Sequence, residues 1–142
     1  MADLAFQGRV IIRGQVFGAA LVSPEPLSFW GGYDWRTGEI IDRRHTLSGS
    51  NAKDKILVIP FTRGSSTTTA VLLEAIRART APAAIITTDT DFFFALASVV
   101  AEELYGLPLP LVALTASDFA KLHTDDEIHI LEDGKVIVHR TE

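Results

Sequence analysis

The sequence predicts an α/β fold, a central parallel βαβαβ sheet with flanking antiparallel strands and a C-terminal hairpin. Residues 55–60, 83–88 and 109–114 are short continuous apolar runs, the pattern of strands buried on both faces. Helix-periodic segments separate them, so consecutive strands are expected to run parallel with right-handed crossovers. At the end of the chain, Asp133-Gly134 lies between apolar-rich residues 127–132 and 135–140, a strong hairpin signal.

Each element has its own local reason. Val and Ile recur around Gly8, Gly14 and Gly18, which predicts two short strands and a turn over residues 7–23. Residues 69–80 place Leu72, Leu73, Ala75 and Ile76 on one helical face, and Pro82 stops the helix. Asp91 can cap a second helix over residues 92–104, closed by Gly106. Phe92, Phe93 and Phe94 are expected in the core or at the start of that helix.

Bulk properties fit one ordinary folded domain over residues 1–142, with 47% hydrophobic and 22% charged residues. A net charge of -5 without a basic run argues against nucleic acid as the partner. The start of the chain lacks the pattern of a signal peptide, and no run reaches about 18 apolar residues. A cytoplasmic protein with no membrane partner is expected. The chain has no cysteine, so it cannot ligate an iron–sulfur cluster through thiolates of its own. His123, His129 and His139 do not share ligand spacing, so no metal site is expected from them.

Two segments could carry chemistry. Residues 28–42 combine Trp30, Trp35, Gly31, Gly32, Gly38, Asp34 and Asp42 in one ordered loop, which serves either packing or binding. If it binds, its tryptophans and glycines suit an interface with a partner and substrate. The stronger candidate is Arg63-Gly64-Ser65-Ser66, between a buried strand and the following helix. A helix start presents unpaired N–H groups to an anion, Gly64 permits close approach, and Arg63 can grip a carboxylate or phosphate. A serine hydroxyl there sits in a positive field, or it simply caps the helix. As a base it needs several pKa units of help, at about 1.4 kcal/mol each, so a metal or cations from a partner are required.

Taken in order, these motifs resemble a known family. Ser28-Phe29-Trp30-Gly31-Gly32-x-Asp34-x-x-Thr37-Gly38-x-Ile40-Ile41-Asp42-x-x-His45, then Leu57-Val58-Ile59-Pro60 and Arg63-Gly64-Ser65-Ser66, look like the small subunit of aconitase X. The chain departs from that pattern at Thr62, where glycine is common, and at Thr46, where proline is common. The resemblance implies an aconitase-like swivelling β/β/α domain, similar to the fourth domain of aconitase and the isopropylmalate isomerase small subunit. In those proteins the first serine of a Gly-Ser-Ser motif is the base, and Ser65 matches it. Thr67 stands where they place an arginine, and Arg63 is the nearest substitute.

The implied activity is dehydration by a hydro-lyase that works only with a larger subunit carrying an iron or iron–sulfur centre. Ser65 is its catalytic residue, and Arg63, Gly64, Ser66, Gly31, Gly32, Asp34 and His45 hold the small-molecule substrate. The family's substrates are cis-3-hydroxy-L-proline and mevalonate 5-phosphate. The first is expected here, because the composition lacks the Glu and Lys enrichment of hyperthermophiles. The rival from another class is a non-enzymatic domain that binds a small molecule by itself.

Overall fold

In a computed structural model, residues 2–62, 67–89 and 91–140 are described. They form β1 (Ala2–Gln7), β2 (Arg9–Ile12), β3 (Val16–Val22), β4 (Ile56–Val58), α1 (Thr67–Ala78), β5 (Ala84–Thr87), α2 (Phe92–Tyr105), β6 (Leu111–Ala113), α3 (Ala116–Phe119), β7 (Glu127–Ile130) and β8 (Lys135–Arg140). The strands make one mixed sheet in the order β1-β8-β7-β3-β4-β5-β6-β2.

The predicted βαβαβ centre is present. β4, β5 and β6 are parallel neighbours, and their residues are buried throughout. Alternation sends Ile56, Val58, Ala84, Ile86 and Val112 to one apolar cluster, with the hairpin strands β7 and β8. Leu57, Ile85 and Leu111 go to the opposite cluster, under α1 and α2. Both faces are therefore core, which is why these strands read as uninterrupted apolar runs.

The rim is richer than expected. β3 pairs parallel with β4 and antiparallel with β7, so it joins the central sheet to the hairpin. β1, unread in the sequence, pairs along the whole of β8. The two outermost strands, β1 and β2, are joined by Gly8 alone, whose N–H donates to Gly134 O at 2.9 Å. A Cβ on Gly8 would meet Val112 at 2.3 Å and Gly134 O at 2.8 Å. That close approach curls the sheet until its edges nearly meet, with the second cluster inside.

Asp91 caps α2 as expected, and Gly106 closes it. The three consecutive phenylalanines divide: Phe94 is buried, Phe93 is half-buried, and Phe92 is 66% exposed. Phe92 opens α2, as expected of a residue at the helix start, and turns outward because successive helical residues face different directions. None of the described helices is long and apolar enough to cross a membrane.

Candidate active site at the carboxyl ends of the parallel strands

In open parallel sheets, ligands bind beyond the carboxyl ends of the strands, where helix starts converge. Here that edge is drawn together by backbone bonds. Ser23 N–H donates to Val58 O, Ile59 N–H to Ile86 O, Thr88 N–H to Pro60 O, and Leu114 N–H to Thr87 O. Leu27 forms an isolated parallel bridge with Thr62. α1 begins at Thr67 with no acidic side chain in its first turn, which leaves its positive end uncancelled by its own residues.

Arg63, Gly64, Ser65 and Ser66 lie outside the described residues, but both their flanks are described. Before them, Thr62 N–H and Thr62 Oγ1 donate to Asp91 Oδ2 at 2.8 and 2.7 Å. After them, Thr69 Oγ1 donates to Phe93 O at 3.1 Å. Asp91 Oδ1 accepts the Phe93 and Phe94 N–H groups, so the starts of α1 and α2 lie side by side. Asp91 is thus more than the cap its position suggests. The contact with Thr62 spans 29 positions, and no local pattern announces it.

The loop between β3 and β4 is a packed lobe. Leu27, Phe29, Tyr33, Ile40, Leu47 and Ala52 are buried in the cluster under the helices. Phe29 stacks on Tyr33 with centroids 5.0 Å apart and meets Phe94 of α2 edge-on at 5.5 Å. Burial, reinforced by the Asp54 charge, pushes the Tyr33 phenol above its ordinary range, so it stays protonated and donates to Thr80 O at 2.7 Å. Trp35 packs against the same cluster beneath the Arg36 guanidinium. Trp30 is 70% exposed.

The residues expected at the site separate along this lobe. Gly32 stays near the edge: a Cβ there would meet Ser28 O at 2.1 Å and Leu27 at 3.4 Å, and Leu27 pairs with Thr62. Gly31, beside it, takes a left-handed φ of 74°. His45 is also near the edge, but buried, with Nε2 3.2 Å from Pro26 O and Nδ1 accepting Leu47 N–H at 3.0 Å. Both ring nitrogens are engaged by backbone, which fixes the Nε2–H tautomer and makes His45 a lock for the lobe. In this chain by itself, its ring contacts are with the lobe's own backbone.

Asp34 is not at this edge. The next residue's carbonyl, Trp35 O, accepts Thr80 Oγ1, and Thr80 follows the C-terminus of α1. α1 has 12 residues, so at 1.5 Å per residue Asp34 sits about 18 Å along the helix from Thr67. Its Oδ1 accepts Arg36 N–H at 2.9 Å and holds the tip of the lobe. Asp34 therefore stands apart from Gly31 and Gly32, with which the sequence grouped it.

A feature the sequence did not reveal is an apolar depression of about 510 Å³ beside Pro60, floored by Val22, Phe119 and Leu122. Exposed Phe61 and Phe92 flank Thr62 and Asp91 in the chain, so the edge carries apolar surface around its polar centre. Among the described residues, no set of donors fits an iron centre. There is no cysteine, and the described residues contain no group of three or more His, Asp or Glu side chains placed to hold a metal.

A curled mixed sheet with helix starts gathered beside one edge defines an α/β domain of swivelling-domain type. The family model of the aconitase X swivel domain matches residues 5–139, and the chain belongs to that family. It is 43% identical over 132 residues to a cis-3-hydroxy-L-proline dehydratase of Pseudomonas aeruginosa, covering 93% of this chain and 22% of that one. It is 36% identical to the phosphomevalonate dehydratase small subunit of Methanosarcina mazei, covering 83% of this chain and 78% of that one. The crystal structure of Thermococcus kodakaraensis aconitase X in its holo-form superposes with a TM-score of 0.86 at 29% identity, covering 96% and 99% of the two chains. The chain spans about a fifth of the length of the cis-3-hydroxy-L-proline dehydratases it matches.

Proposed function

We propose that this chain is the small, swivelling part of an aconitase-X type hydro-lyase and supplies Ser65 as the base that dehydrates cis-3-hydroxy-L-proline. The observation that carries the substrate is the 43% identity, over 93% of the chain, to an enzyme named for that reaction. Ser65 follows a strand buried on both faces and precedes α1, whose positive end favours an alkoxide over a hydroxyl. On this reading Arg63, Gly64 and Ser66, with the N–H groups at that helix start, take the substrate carboxylate. Gly31 and Gly32 border the site. The proton leaves the carbon that bears the carboxylate and passes to Ser65, and the hydroxyl leaves the neighbouring carbon, giving one water per turnover.

Most of the matched dehydratase lies beyond the part this chain covers, and the relatives named as small subunits support a larger partner that completes the site. An iron centre, if bound, would be held by that partner's residues and would supply Lewis-acid chemistry toward the leaving hydroxyl. Trp30, Phe61 and Phe92 are the exposed side chains that suit its surface.

A second reading is the small subunit of a mevalonate 5-phosphate dehydratase. It is favoured by the 36% identity to the Methanosarcina mazei subunit and by the affinity of a helix start for phosphate. Reconstituting the chain with its large partner and offering each substrate separately decides between them. Dehydration of cis-3-hydroxy-L-proline supports the first reading, dehydration of mevalonate 5-phosphate alone supports the second, and turnover of neither removes both.

A further inference from the structure

Capping a helix requires one carboxylate oxygen. Asp91 devotes Oδ1 to the Phe93 and Phe94 N–H groups, at 3.0 and 3.2 Å, and that completes the cap. Its Oδ2 instead accepts two bonds from Thr62, one from the N–H and one from the hydroxyl. The carboxyl group is 8% exposed as part of its residue, so these bonds form largely out of water, where geometry is held more tightly. On the far flank, buried Thr69 donates to the carbonyl of Phe93 in the same first turn of α2. One turn of α2 therefore grips the chain both before and after Arg63-Gly64-Ser65-Ser66.

We infer that Asp91 is a positioning residue for the site: it fixes Thr62, the residue immediately before Arg63, a role separate from capping α2. The inference rests on the dehydratase reading for its consequence in catalysis, but not for its structural part. Asparagine caps a helix about as well as aspartate, so Asp91→Asn leaves the cap. Its amide NH2, turned toward Thr62, faces two donors and accepts neither. Thr62→Val removes only the hydroxyl bond and keeps the shape, and Thr62→Ser returns the hydroxyl.

The test has two readouts. The first is hydrogen exchange on the full chain without partner. Asp91→Asn is expected to speed exchange at Thr62 and in the first turn of α1 by about tenfold or more, while α2 beyond its first turn keeps its protection. The second is turnover by the assembled enzyme on whichever family substrate the wild type dehydrates. kcat is expected to fall about thirtyfold in Asp91→Asn and about fivefold in Thr62→Val, with KM within about twofold and Thr62→Ser near wild type. Unchanged exchange at Thr62, or an Asp91→Asn enzyme with more than about half the wild-type kcat, overturns the inference. A loss of activity that Thr62→Ser shares with Thr62→Val also overturns it. Accelerated exchange in a chain whose wild type dehydrates neither substrate upholds the structural role and removes the dehydratase reading instead.

Discussion

Replacing Phe29 with alanine tests whether the lobe between β3 and β4 is part of this domain's own core. Phe29 is fully buried, stacked on Tyr33 at 5.0 Å and edge-on to Phe94 at 5.5 Å. Truncating a buried phenylalanine costs about 3–5 kcal/mol, because the cavity left behind collapses only in part. Ring pairs of this geometry contribute about 0.5–1.5 kcal/mol beyond area burial, which puts this site toward the upper half of that range. At about 3 °C per kcal/mol for a chain of this size, the melting midpoint should fall by about 12 °C. Thermal and urea unfolding of the chain without partner measure it. Tyr33→Phe is the companion variant: it keeps the stacked ring and loses the bond to Thr80 O, so about 1 kcal/mol is expected. If Phe29→Ala lowered stability by less than about 1 kcal/mol, the lobe would not be held by this packing, and the reasoning from burial would fail.

Two further outcomes follow from the geometry. Asp126 accepts Arg140 Nε and Nη2 at 2.8 and 2.7 Å and His123 N–H at 2.8 Å; the Arg140 hydrogen bond holds its carboxyl below the usual 3.8, against the opposing effect of burial. A depressed folded value means the unfolded chain binds the proton first. The contribution is therefore present above about pH 4 and lost as pH falls through the folded value. Urea midpoints of wild type and Asp126→Asn should converge as pH drops from about 6 to about 3, and parallel acid slopes would contradict the assignment. Gly32→Ala should destabilise the lobe by about 2 kcal/mol or more, since its Cβ meets backbone at Ser28 O that cannot swing aside. A wild-type unfolding curve for that variant would show that the lobe yields there.

The parts of the fold that were legible are those whose signal is local. β4, β5 and β6 are buried on both faces, so their residues are apolar without interruption. Asp91 and Gly106 bracket α2 by capping chemistry. β1 was missed because an edge strand with residues such as Asp3 and Gln7 lacks that continuity. The parallel pairing of β3 with β4 was missed because its crossover is the lobe rather than a helix. α3, of 4 residues, is too short to show a period.

The site divides in the same way. Helix start and motif placed the Arg63-Gly64-Ser65-Ser66 segment between β4 and α1 in the sequence itself. The lobe's path was not legible, so Asp34 was grouped with Gly31 and Gly32 although the chain carries it to the far end of α1. His45 was assigned to substrate binding from its place in a motif. Its two backbone partners, Pro26 O and Leu47 N–H, depend on how the lobe folds back on itself.

The most direct measurement is the turnover of cis-3-hydroxy-L-proline by the enzyme assembled from the large partner and either wild-type or Ser65→Ala chain. Melting midpoints and sedimentation first establish that the variant folds and assembles as wild type does. The expected result is a loss of kcat of about a thousandfold, the range in which a general base acts. A Ser65→Ala enzyme that kept more than about a tenth of the wild-type rate, a barrier change under about 1.4 kcal/mol, would show that another group takes the proton.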